Sequence, residues 1–201
     1  MKKNFNEEVA GIYRLRVPFE NIYTSVFLIC TQEKNILIDC ASNANDVDNS
    51  IIPALKAFGY ELSDIDMIVI SHNHLDHSGG LERVLQLAPS IVVVNDVMTI
   101  DESISTYPLK GHTMDCIGVL DERSATLITI DGLQGAGVDK YRCSLQSREA
   151  YLETLEKIKS DERIENILFA HDYEPWYKNA MFGRKDVEDC LLQCKKYIKE
   201  K

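Results

Sequence analysis

The chain lacks any long apolar run. Its longest uninterrupted stretch, Val26 to Cys30, falls far short of the roughly 18 residues a membrane helix needs, which predicts no membrane span. The first eight residues lack the apolar segment of an export signal, so the cytosol is the expected compartment. Basic residues are scarce: 22 Lys and Arg against 32 Asp and Glu give a formal charge of −10, which repels polyphosphates and predicts no nucleic-acid partner. The one basic cluster, Lys195 to Lys201, is a short tail interrupted by Glu200. None of the six cysteines, at 30, 40, 116, 143, 190 and 194, forms a Cys-x-x-Cys pair, so they read as reduced core thiols rather than a disulfide framework. Cys190 and Cys194 stand four apart on an expected helix, a spacing that suits two packed side chains. Glycine and proline, at 10 and 5 residues, are too few for a fibrous chain.

With 45% hydrophobic residues in 201, the chain has enough apolar material for a folded core, and the length predicts one domain over residues 1–201. Short runs rich in Val, Ile, Tyr and Phe predict strands at Val9–Leu15, Thr24–Cys30 and Asn35–Asp39. A helix is expected from Asp46 to Tyr60, with Pro53 tolerable only in its first turns and Gly59 as its stop. A buried strand at Ile65–Ile70, a helix at Gly80–Ala88 and a strand at Ile91–Val94 then alternate. Strands return at Cys116–Leu120 and Ala125–Ile130, followed by a helix at Ser147–Ile158, a strand at Ile164–Ala170 and a helix at Lys185–Ile198. Two sheets with helices before and after each predict an α/β protein built as a four-layer αββα sandwich.

Three of the five histidines fall within six residues, in His72, Asn73, His74, Leu75, Asp76, His77, directly after an expected buried strand. Neutral imidazoles and a carboxylate offered from one rigid anchor are metal ligands by type. In an extended or turning segment, side chains two apart can point to one ion while those four and five along reach a second. The other two histidines, His112 and His171, and the aspartate Asp131 also lie at or near the ends of expected strands.

This pattern, His-x-His-x-Asp-His followed by distant His, Asp and His, resembles the metallo-β-lactamase-fold superfamily along nearly the whole chain. The resemblance implies His72, His74 and His112 on a first metal, Asp76, His77 and His171 on a second, and Asp131 bridging both. A water between two divalent ions can have its pKa lowered to about 7, giving a hydroxide nucleophile without any serine or cysteine. Asp76 and His77, on the ion that holds the hydroxide, are then the expected catalytic residues. Zinc leads among the metals, with iron and manganese open, because imidazole and carboxylate suit all three.

Among the branches of that superfamily the local match is to glyoxalase II. Asp131, Gly132 and the run through Lys140 and Tyr141 look like that family's bridging aspartate and its carboxylate-binding lysine, and Ala170 to Tyr173 is similar to its Gly-His-Glu-Tyr. The resemblance implies Lys140 and Tyr173 as contacts to a thiol carrier, although Lys140 is as readily a solvated lysine and Tyr173 a half-buried aromatic. Gln134 and Asp139 depart from the family, which has an aromatic residue and a glycine there. Only 30 residues follow His171, so that family's helical C-terminal domain is expected to be missing. The expected activity is metal-dependent hydrolysis of a small ester, thioester or lactone. Two alternatives stay open: a mononuclear iron oxidoreductase resembling persulfide dioxygenases, with His72, His112 and Asp131 on one iron, and a metal-binding module without catalysis. Trp176 could wall a pocket or pack a loop.

Overall fold

The computed structural model describes residues 4–134, 145–173 and 178–199, and these divide into two compact units, residues 1–95 and 96–201. In the first unit a six-stranded sheet runs in sequence order: β1 (Asn6–Val9), β2 (Ile12–Phe19), β3 (Ile22–Cys30), β4 (Asn35–Ile38), β5 (Met67–Val69) and β6 (Val92–Val94). β1 to β4 pair antiparallel, and β4, β5 and β6 pair parallel. The expected strand Val9–Leu15 is in fact broken by a turn at Ala10 and Gly11, where Gly11 takes φ 79.

Helix α1 (44–58) fills the crossover from β4 to β5. The Asn43 side chain caps it by accepting from the Asp46 amide, and Gly59 ends it in the left-handed region at φ 100. Pro53 lies farther along this helix than its first turn. It is accommodated because Val47–Ile51 is wound as a π turn, which absorbs the missing amide and the ring clash. Two short helices follow β5, α2 (Leu75–Ser78) and α3 (Leu81–Leu87). Val47, Ile51, Ala54, Leu55 and Val84 of the helices pack with Val26, Leu28, Leu37 and Ile68 of the sheet. The alternate strand residues Phe27, Ile29, Ile36, Ile38 and Val69 are buried too. A sheet buried on both faces explains why β4 and β5 read as continuous apolar runs.

The second unit carries a five-stranded sheet ordered β11-β10-β9-β8-β7, from β7 (Ile104–Pro108), β8 (Ile117–Asp121), β9 (Thr126–Ile130), β10 (Asn166–Tyr173) and β11 (Lys178–Phe182). β9 and β10 are parallel and the other pairs antiparallel. α4 (Arg148–Ser160) and α5 (Arg184–Lys199) lay Tyr151, Leu155, Ile158, Val187, Leu191 and Ile198 on Leu120, Leu127, Ile167 and Phe169. Cys190 and Cys194 are packed in that cluster as free thiols. Val119, Ile128, Ile130 and Leu168, on the alternate positions, are equally buried. Among the described residues no helix is long and apolar enough to cross a membrane.

Candidate metal centre

The first unit's candidate ligands follow the end of β5. After Val69 the chain leaves the sheet through Ile70 and Ser71, and His74, in extended backbone at φ −76, starts the helical turn α2 that carries Asp76 and His77. His72 and His77 are buried, Asp76 half-buried and His74 exposed. His72 Nε2 lies 3.0 Å from His74 Nδ1, and His77 Nε2 lies 3.2 Å from Asp76 Oδ2. The expected ligands of this loop thus stand in two pairs. The loop rests on the segment after β4: Cys40 N–H donates to the His77 carbonyl, and a Cβ on Gly79 or Gly80 would meet the carbonyl oxygen of Ser42 or Cys40 at 2.0 or 2.2 Å. Burial beside Asp39 pushes the Cys40 thiol far above its ordinary value and keeps it neutral.

Asp39, which closes the apolar strand β4, holds this arrangement in register. It is fully buried, and its carboxylate accepts from the Ser71 amide at 2.8 Å, the Ser71 hydroxyl at 2.9 Å and His77 Nδ1 at 2.8 Å. Those bonds determine tautomers. A carboxylate only accepts, so His77 carries its proton on Nδ1 and presents the Nε2 lone pair. The single Ser71 hydroxyl proton is spent on Asp39, so the 3.0 Å contact of Ser71 Oγ with His72 Nδ1 has the histidine as donor, and His72 also presents Nε2. Asp39 itself sits at φ 62 and Ala41 at φ 59, left-handed conformations of the kind that gather at functional sites.

The second unit's candidate ligands come from three separate segments. His112 lies in the loop between β7 and β8, Asp131 directly follows β9, and His171 lies within β10; all three are buried. Asp131 divides its oxygens, Oδ2 lying 3.7 Å from His112 Nε2 and Oδ1 3.3 Å from His171 Nε2. Ile130, just before it, takes φ 50, a genuine strain for a β-branched residue. The His112 loop is tied to α4: the Gln146 and Ser147 amides donate to the carbonyls of His112 and Gly111, and Thr154 Oγ1 donates to the Lys110 carbonyl. The nitrogen of His112 turned away from Asp131, Nδ1, lies 2.8 Å from Gln134 Nε2.

The donor set suits metal ions by its chemistry. His72 and His77 each have Nδ1 engaged and Nε2 turned toward another expected ligand, as does His112, and His74 turns Nδ1 to its neighbour. Asp39, Ser71 and Gln134 were not among the expected site residues. The available signal for Asp39 was a charged residue ending an otherwise apolar strand, Ile36, Leu37, Ile38, Asp39. Lys140 and Trp176 lie outside the described residues. The Tyr173 backbone ends β10, and its side chain is outside the description.

Two helix-backed mixed sheets carrying clustered histidines and aspartates define an α/β protein with a candidate metal site. Residues 21–99 match the profile of the metallo-β-lactamase superfamily. The metallo-β-lactamase FIM-1 from Pseudomonas aeruginosa, in a mono-zinc form, superimposes with a TM-score of 0.73 at 14% identity, covering 98% of this chain and 97% of that one. The αββα sandwich is therefore the fold. Among curated relatives, the transcription termination factor FttA of Cenarchaeum symbiosum is 38% identical over 64 residues, 31% of this chain and 10% of that protein. The atrochrysone carboxyl ACP thioesterase of Emericella nidulans is 24% identical over 153 residues, 68% of this chain and 48% of that protein. The chain thus matches less than half the length of either relative.

Proposed function

We propose that the chain is a metal-dependent hydrolase of a small ester, thioester or lactone, acting through seven metal ligands. In this reading His72, His74 and His112 hold one ion, Asp76, His77 and His171 hold a second, and Asp131 is shared. The observation that carries it is the division of the Asp131 carboxylate, one oxygen toward each of two histidines. Members of the superfamily are mostly hydrolases, which supports an enzyme in general.

Divalent ions in such a set supply Lewis acidity and a hydrolytic water that is active at neutral pH. The protein's part is to hold the imidazoles. Asp39 fixes His77 directly and His72 through Ser71, so both ligating nitrogens are aimed before any substrate arrives. Asp76 and His77, on the second ion, are the proposed catalytic pair. Zinc is the proposed metal at both positions.

A thioester is favoured by the match to a thioesterase over two thirds of this chain. Lys140 and Tyr173 are proposed as contacts to the thiol carrier. A small molecule is favoured over nucleic acid by the charge of −10. The cytosol is the proposed compartment, supported by the five free thiols among the described residues.

The test is a hydrolysis assay on protein purified without chelator, offering a short acyl thioester and a lactone. Turnover of one of them, abolished by a chelator and restored by Zn²⁺, is the expected result. Hydrolysis indifferent to chelator would refute the reading, and iron-dependent oxygen consumption on a persulfide would replace it with an oxidoreductase.

A further inference from the structure

Gln134 is fully buried, yet no described group donates a hydrogen bond to its Oε1. Its backbone is fixed, because its amide donates to the Tyr151 hydroxyl at 3.1 Å. Tyr151 in turn packs on Gly111, next to His112: a Cβ there would lie 2.5 Å from Tyr151 Cβ. One tyrosine therefore steadies both partners of the 2.8 Å contact between the Gln134 carboxamide and His112 Nδ1.

The carboxamide can serve either tautomer of that imidazole. With Nε2 of Gln134 facing Nδ1, the amide donates, and the histidine proton sits on Nε2, toward Asp131. A histidine that ligates through Nε2 needs the opposite: the proton leaves Nε2, Nδ1 takes one up, the ring stays neutral, and the group facing Nδ1 has to accept. A half-turn of the carboxamide about its last bond puts Oε1 there without moving the backbone. As it stands no described group donates to Oε1, so no described hydrogen bond to that oxygen opposes the demand of His112.

We propose that Gln134 is a positioning residue for His112, its carboxamide oxygen accepting from Nδ1–H and so holding Nε2 available to metal. This rests on the proposed role of His112 as a ligand. A glutamate would accept permanently, whereas glutamine serves both tautomers, and a leucine serves neither.

The test combines Zn²⁺ affinity, by competition with a chromophoric chelator, with ¹⁵N-imidazole spectra of the full chain. In zinc-loaded wild type the His112 proton should be found on Nδ1. Gln134→Leu should weaken Zn²⁺ binding about 10- to 100-fold, and Gln134→Glu should restore it. A His112 proton on Nε2 in the zinc-loaded wild type would overturn the proposal even if both variants failed to fold. So would wild-type affinity in Gln134→Leu alongside a weakened His112→Ala. Unchanged affinity in His112→Ala would instead remove the ligand reading on which the proposal stands.

Discussion

The two units present their candidate ligands in opposite ways. In the first, four expected ligands come from six consecutive residues after one parallel strand, and a buried carboxylate, Asp39, directly after the neighbouring strand β4 bonds His77 and Ser71. In the second, three expected ligands come from segments 19 and 40 residues apart, and a neutral carboxamide, Gln134, faces one of them. A contiguous cluster can be oriented by one fixed charge, because moving that charge moves every member together. Dispersed ligands depend on the backbone that brings each one in, hence the ties from α4 to the His112 loop and the strained Ile130 before Asp131.

The largest effect should follow loss of the fixed charge. Asp39→Ala leaves the Ser71 amide, the Ser71 hydroxyl and His77 Nδ1 buried without their acceptor, and should cost about 3 to 5 kcal/mol in urea denaturation of the metal-free protein. A cost below about 1 kcal/mol would show that the first unit's loop is held by its backbone alone, erasing the contrast. A smaller effect sharpens the other side. Gly111→Ala places a methyl into Tyr151 at a left-handed φ of 140 and should cost about 3 kcal/mol, whereas Gly59→Ala, at φ 100 with nothing within 4 Å, should cost about 1 kcal/mol. Equal costs would mean that packing on Tyr151 does not position the His112 loop.

The same contrast separates what could be read from the sequence. Every strand buried on both faces was legible as an apolar run, β3, β4, β5, β8 and β9 among them. The strands that were not legible, β1, β7 and β11, all lie at a sheet edge, where one side carries no ladder and residues such as Asn6, Glu7, Pro108 and Lys178 are tolerated. The seven expected ligands could be named because histidines are few and their order matches a known pattern. Asp39, Ser71 and Gln134 could not. Asp39 lies 32 and 38 residues from its partners and Gln134 lies 22 residues from His112, so their roles exist only once strands are paired. The Pro53 helix shows a further limit, since a π turn leaves no mark on the apolar spacing that announces a helix.

The proposal that Asp131 is shared between two ions is tested most directly by counting metal. Elemental analysis of protein purified without chelator should give about two divalent ions per chain, falling to about one in His72→Ala and toward none in Asp131→Ala. An Asp131→Ala protein that kept the full wild-type content would contradict the account.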